Sequence, residues 1–161
     1  MAPASNKPRS RLLARLEEAI KKAGNPIEAQ CLRAERAGLL ARQGQLERAQ
    51  GVIDELNAQI AWQPHNALVR GWVALAEGLH GYYSVIDVGG REQIELAWRL
   101  AHDSGAAGRR LRATTAAWLA NLVFTDDADS QRLPGLVREA LDLAAPEDHG
   151  ARALAPMVAG Y

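Results

Sequence analysis

Apolar residues recur at helical spacing along almost the whole chain, and the runs are ended by glycine, asparagine or proline. The clearest break is Gly24-Asn25-Pro26-Ile27-Glu28. Here asparagine can cap a helix, proline suits the first helical position, and the glutamate can complete a capping box. The pattern predicts eight helices, over about 10–23, 26–43, 45–62, 66–80, 91–103, 107–124, 131–144 and 146–157.

The composition supports an all-α fold. The chain contains 31 Ala and 21 Leu but only 8 Val, 6 Ile and 3 Thr. Leucine keeps its side-chain freedom in a helix and alanine has none to lose, whereas β-branched residues favour strands. Residues 82–88 resemble a strand in isolation, but a lone strand cannot satisfy its backbone hydrogen bonds. We therefore predict a packed loop or an irregular helical turn there.

Length and charge indicate one domain that does not bind nucleic acid. A chain of 161 residues can bury one core, so we predict a disordered arm over 1–9 and a single domain over 10–161. Nineteen basic and nineteen acidic residues cancel, which argues against a nucleic-acid partner. No signal peptide is recognisable, and no stretch approaches the roughly 20 apolar residues that span a bilayer. We expect a cytoplasmic protein with no membrane contact.

Small residues indicate an internal repeat. Ala49, Ala97 and Ala140 each lie in the middle of a predicted helix, 48 and 43 residues apart. Residues 36–49 have a small residue near the middle of the first helix, a glycine in the turn, and an alanine five residues after that glycine. On these residues, positions 26–145 resemble tetratricopeptide-like helical repeats.

This resemblance implies stacked antiparallel helix hairpins, with an irregular helical bundle as the alternative architecture. Similar repeats rich in Ala, Leu and Arg form N-terminal input modules of bacterial signalling proteins, diguanylate cyclases among them. The resemblance therefore implies a regulatory module that binds a protein or peptide.

Two short motifs have structural interpretations that we prefer to chemical ones. Gly89-Gly90-Arg91-Glu92 partly matches the Gly-Gly-acid-acid signature of diguanylate cyclases, but it lacks the first acid and is better explained as a helix boundary. Asp126-Asp127-Ala128-Asp129 lacks the glycine and the final carboxylate that a calcium loop needs downstream. We predict that it caps a helix.

The sequence offers no clear metal or catalytic set. His65, His80, His102 and His149 form no pair at helical spacing, so a zinc site would need a tertiary coincidence. The single cysteine, Cys31, excludes an internal disulfide and fits a small buried thiol on an amphipathic helix. We expect no metal, no cofactor and no catalytic residue, and hence no enzyme.

Four tryptophans, Trp62, Trp72, Trp98 and Trp118, could form an aromatic binding wall. Trp72 and Trp118 fall on predicted apolar stripes, so we predict that they lie in the core. Trp62 adjoins Pro64, and we predict that it is the most exposed of the four.

The preferred function is a non-enzymatic interaction module. Stacked hairpins leave a groove along the first helix of each pair, which here are the helices predicted over 26–43, 66–80 and 107–124. The groove would bind a peptide, a helix or a second copy. The residues predicted for this face are Arg33, Arg36, Arg70, Glu77, His80, Arg112 and Asn121, with Tyr82 and Tyr83 as an aromatic anchor.

The alternative function is a small-molecule sensor that controls an output enzyme such as a diguanylate cyclase. A stack of hairpins can enclose a pocket, with residues 82–90 as its lid. A buried cavity lined by Trp72, His80 and Tyr83 would favour the sensor, whereas an open groove would favour the protein binder.

The C-terminal segment predicts a homodimer. Residues 151–158 are almost entirely apolar and too short to shield themselves, so we expect Leu154 and Met157 to contact a second copy. Residues 1–24 carry a net charge of +4 and residues 126–161 a net charge of −4, which could assist a head-to-tail contact.

Overall fold

The computed structural model describes residues 11–62, 66–84, 89–126, 131–148, 150–152 and 154–155. Within these ranges all regular structure is helical, which confirms the all-α fold with about eight helices. The elements are α1 (Arg11–Lys22), α2 (Pro26–Arg42), α3 (Leu46–Ala61), α4 (Ala67–Tyr83), α5 (Gly90–Asp103), a short 3₁₀ helix (Gly105–Gly108), α6 (Arg109–Asp126) and α7 (Leu133–Leu143).

Local capping starts the helices close to where the sequence predicts them. Asn25 Oδ1 accepts a hydrogen bond from the backbone N–H of Glu28, and Glu28 Oε2 accepts one from the N–H of Gly24, both at 2.9 Å. Asn66 caps α4 by accepting from two backbone N–H groups, at 2.9 and 3.3 Å. Gly44 turns the chain between α2 and α3 with φ of +78°, a conformation that glycine adopts without strain.

The helices form three antiparallel pairs, α2 with α3, α4 with α5, and α6 with α7. In the first pair, Arg33 reaches Glu55 while Gln30 reaches Gln59, so the two helices run in opposite directions. The first helices of the pairs lie side by side, because α4 packs against α2 and also contacts α6. Helix α1 packs against α2 at the start of this row.

Most of the core lies along α4 and α6. Trp72 and Trp118 are 6% and 5% exposed, as predicted, and Trp98 is half-buried. Trp62 is 90% exposed, which confirms the prediction for that residue. In the part of the chain that the structure describes, no helix combines the length and the apolar character needed to cross a membrane.

Two glycines on one face of α4 allow α5 and α6 to approach closely. A Cβ atom on Gly78 would lie 2.5 Å from Ile94 Cγ1 and 2.8 Å from the carbonyl oxygen of Gly90. A Cβ atom on Gly71 would lie 2.5 Å from Leu111 Cδ2. At Gly78 the close neighbours include backbone atoms, so the spacing of α4 and α5 depends on the absence of a side chain there, whereas at Gly71 the close neighbour is the flexible end of the Leu111 side chain.

The loop or irregular turn predicted over 82–88 begins later than expected. Tyr82 and Tyr83 belong to the regular helix α4, which ends at Tyr83 with Ser84 as its C-cap. Both tyrosine rings pack on Trp118 of α6, and this burial stabilises a helical turn that the local sequence does not favour. Residues 85–88 lie outside the described ranges.

The chain after α7 folds back on its own core. Residues 150–152 and 154–155 are helical, and Ala151, Leu154 and Ala155 are buried against the main hydrophobic cluster. Leu154 is 9% exposed within the single chain. Its apolar side chain is therefore covered without a second copy, while Met157 and the predicted arm over 1–9 lie outside the described residues.

Candidate functional site

The row of α2, α4 and α6 leaves a cavity of about 320 Å³. It is also lined by α1 and by residues 147, 148, 150 and 151. We call this space the groove. Its apolar wall includes Leu12, Leu16, Leu39, Trp72, Leu75 and Trp118. Its polar groups include Arg15, Glu35, Arg42, Arg110, Thr114 and Asp148.

The two tryptophans contribute rigid aromatic surface to the groove. The indole of Trp118 contacts Tyr82 and Tyr83 edge to face, with ring centres 5.8 and 6.1 Å away. The two tyrosine rings also contact each other, at 4.9 Å. Burial raises the pKa of Tyr83 above its ordinary value, so its hydroxyl stays protonated at neutral pH. This packing holds Trp118 in one orientation at the groove wall.

Arg110 occupies one end of the groove and is fully paired there. Its guanidinium group lies over the ring of Trp72, 5.1 Å from the centre, and forms an ion pair with Glu35 of α2. Its Nε atom lies 3.5 Å from Asp148 Oδ1. Burial lowers the pKa of Arg110, and the carboxylate of Asp148 opposes that change by favouring the charged form. Arg110 thus ties α6 to α2 and to the C-terminal segment.

The opposite end of the groove carries positive charge that the described residues do not neutralise. Arg42 lies over the ring of Trp118, with its guanidinium carbon 6.0 Å from the ring centre. Arg15 of α1 also lines the groove. Both side chains are exposed, and neither forms an ion pair with the described part of the chain.

The single thiol is not an activated nucleophile. Cys31 is half-buried on α2, and burial raises its pKa to about 11, although nearby Arg110 partly opposes that rise. A thiol with that pKa is protonated at neutral pH, and the thiolate is the reactive form.

Metal ligands do not gather in the described ranges, where no three His, Cys, Asp or Glu side chains are grouped around a possible ion. His80 Nε2 lies 3.2 Å from the carbonyl oxygen of Leu46. His102 lies beside Glu139, with Nε2 3.1 Å from Oε1. His65 and His149 are outside the described residues.

The two short motifs have structural roles where they are described. Gly89 precedes α5 with φ of +76°, so the glycine pair marks a helix boundary, as predicted. Arg91 pairs with Asp126 at the end of α6, with 2.5 Å between Nη1 and Oδ2. The rest of the predicted acidic turn, 127–129, lies outside the described ranges.

Five of the nine residues predicted for the binding face make polar contacts with other helices. These contacts join Arg33 to Glu55 (2.5 Å), Arg36 to Glu17 (3.8 Å), Glu77 to Asn57 (2.8 Å), His80 to Leu46 (3.2 Å) and Arg112 to Glu139 (3.1 Å). Arg70 is exposed and Asn121 is half-buried. Tyr82 and Tyr83 support Trp118 from behind. None of these nine predicted residues, all of which the structure describes, lines the groove.

The groove residues that sequence reasoning missed are Glu35, Arg42, Arg110 and Asp148. Glu35 and Arg110 are separated by 75 positions, so no local pattern relates them. A partial signal did exist, because Trp72 and Trp118 both fall on first helices of predicted pairs. They were assigned to the core, and they are in the core while still lining the groove.

No protein-family model matches this chain, and no curated protein or solved structure shows significant similarity to it. The resemblance to tetratricopeptide-like repeats therefore stays a prediction from the sequence.

Proposed function

We propose that this chain is a non-enzymatic interaction module that binds a short segment of a partner protein in the groove. The observation that carries the proposal is the cavity between α1, α2, α4 and α6, with Trp72 and Trp118 in its wall. Apolar cavities with a few placed polar groups are typical binding sites. Rigid aromatic side chains are frequent binding hot spots, because they bury a large area at a small cost in entropy.

The chemistry of the wall supports binding rather than catalysis. Arg110 is neutralised by two carboxylates, and the nearby thiol of Cys31 is kept protonated by burial. Covalent catalysis needs an activated nucleophile beside a base, and the protonated thiol of Cys31 does not supply one. An apolar side chain of a partner would instead displace water from the wall and rest against the indole rings.

A cavity-filling variant tests the proposal. Ala19 of α1 lines the groove, so Ala19→Trp would occupy part of it. Ala58 of α3 is exposed and does not line the groove, so Ala58→Trp is the matched control. A displayed library of random short peptides is first selected on the wild-type protein, and the affinity of synthetic copies is then measured by fluorescence anisotropy.

Selected peptides should bind wild type and Ala58→Trp equally, and Ala19→Trp at least about tenfold more weakly. Circular dichroism checks that both variants are folded. The proposal fails if selection enriches no sequence, or if the enriched peptides bind all three proteins alike.

The volume of the groove favours one second candidate, a small-molecule sensor. About 320 Å³ lies at the lower end of the range for ligand pockets. Of the three residues expected to line such a pocket, Trp72 does so, whereas His80 contacts α3 and Tyr83 lies behind Trp118. A regulatory input role in a bacterial signalling protein is part of our proposal and rests on the sequence resemblance alone.

The homodimer predicted from the sequence is also kept as a proposal. The dimer was predicted because the C-terminal segment is apolar and should be buried, and Leu154 is buried within its own chain. Light scattering measures the solution mass directly, and the single chain has a mass of 17.4 kDa.

A further inference from the structure

The two ends of the groove differ in how their positive charges are balanced. At one end, Arg110 is held between Glu35 and Asp148. Away from this end, Arg42 lines the wall at the C-terminal turn of α2 and Arg15 lines it from α1, each without an ion pair to the described residues. A ligand in the groove therefore meets two arginines whose charge no described carboxylate pairs.

The carboxylates nearest in sequence to Arg15 are paired elsewhere. On α1, Glu17 lies 3.8 Å from Arg36 and Glu18 lies 3.2 Å from Lys21. Neither carboxylate is paired with the groove arginines, so within the described part of the chain the two guanidinium groups have no carboxylate partner.

Arg42 also lies against an apolar surface. Its guanidinium carbon is 6.0 Å from the centre of the Trp118 ring, so a group that binds Arg42 lies beside the aromatic wall. A guanidinium group on an aromatic face keeps its N–H donors free at its edge, and it binds carboxylates through two parallel hydrogen bonds. The site thus pairs a carboxylate receptor with an adjacent apolar cavity.

We propose that the partner segment carries an aspartate or glutamate next to a large apolar residue. The apolar side chain enters the groove against Trp118, and the carboxylate binds Arg15 and Arg42. This inference rests on the proposed function, because it specifies the peptide that the groove takes. It also places the carboxylate away from Arg110, which is already paired with Glu35 and Asp148.

A double-mutant cycle tests the pairing. The selected peptide is synthesised with its acidic residue and with the matching amide, Glu to Gln or Asp to Asn. Both forms are titrated against wild type and the double variant Arg15→Gln/Arg42→Gln. The control is Arg99→Gln, because Arg99 is an exposed residue of α5 outside the groove.

Replacing the acid by the amide should weaken binding to wild type and to Arg99→Gln by about tenfold, as expected for a hydrogen-bonded charge pair. Against the double variant the two peptides should bind equally. If the selected peptides lack acidic residues, or if the amide form binds wild type as well as the acid form, the inference fails while the proposed function stands.

Decanoate is a second probe, because it joins a carboxylate to an apolar chain in one small molecule. It should bind more weakly than the selected peptide and compete with it. Saturable decanoate binding that Ala19→Trp abolishes, together with no enriched peptide, would overturn both proposals in favour of the small-molecule sensor. If neither decanoate nor any peptide binds, the groove itself is not a binding site.

Discussion

The guanidinium carbon of Arg110 lies 5.1 Å from the centre of the Trp72 ring, while its nitrogens reach Glu35 on one side and Asp148 on the other. One side chain of α6 thereby contacts α2, α4 and the segment after α7. This arrangement makes Arg110 the main polar tie across the groove. It also determines which end of the groove is left with unbalanced charge.

Removing the charge of Arg110 should destabilise the fold. Arg110→Met keeps the apolar stem but leaves two carboxylates without their partner, so we expect the free energy of unfolding to fall by about 1–2 kcal/mol. Urea denaturation followed by circular dichroism measures it. Arg99→Met is the control, because an exposed arginine outside such contacts should change stability by no more than about 0.5 kcal/mol. Equal effects of the two changes would show that the tie across the groove is not stabilising.

Trp118→Ala should lower the free energy of unfolding by about 3–5 kcal/mol, because a buried indole and its contacts with Tyr82 and Tyr83 are lost. Trp62→Ala removes the same side chain from a position that is 90% exposed, so its effect should stay within about 0.5 kcal/mol. A similarly small effect at Trp118 would mean that α6 presents a different face to the core.

The close approach of α4 and α5 predicts opposite effects for two glycine substitutions. Gly78→Ala places a Cβ atom 2.5 Å from Ile94 Cγ1, and the overpacking should cost about 1–3 kcal/mol. Gly51 is an exposed residue of α3, and a Cβ atom there would have no neighbour within 4 Å. Gly51→Ala should therefore stabilise the protein by about 0.5–1 kcal/mol through helix propensity. Thermal unfolding of both variants checks the signs, and stabilisation by Gly78→Ala would contradict the packing of α4 on α5.

Burial of Cys31 predicts slow and pH-dependent thiol chemistry. The pKa of the thiol is raised from 9.0 to about 11, so the folded chain holds this proton more tightly than the unfolded chain. Its contribution to stability is therefore complete below pH 9.0 and is lost as the pH rises towards 11. A disulfide reagent at pH 8 should react at least about tenfold faster with the urea-unfolded chain than with the folded one. Equal rates would mean that the thiol is freely exposed.

The burial of Leu154 predicts how a charge there will act. Leu154→Asp should lower the free energy of unfolding by about 3–5 kcal/mol at every protein concentration, because an unpaired carboxylate would enter the core of the single chain. Denaturation midpoints at low and high protein concentration measure this. A loss confined to high concentration would instead assign Leu154 to the predicted contact between two copies.

The positions of the helices could be predicted from local sequence, because the forces that start and stop a helix act over a few residues. Asn25 Oδ1 accepts from the N–H of Glu28, Glu28 accepts from the N–H of Gly24, and Gly44 supplies the turn before α3. The burial of Trp72 and the exposure of Trp62 also followed from spacing, since an apolar stripe marks the face that a helix must bury.

The contacts between side chains of different helices could not be predicted from local sequence, because they depend on how the helices pack. Arg110 meets Glu35 because α4 packs against α2 and also contacts α6, which brings these two helices together. The helical state of Tyr82 likewise depends on the ring of Trp118, 36 positions away. Local sequence patterns show which face of a helix is apolar and where that helix ends. The groove instead depends on how several helices pack against one another.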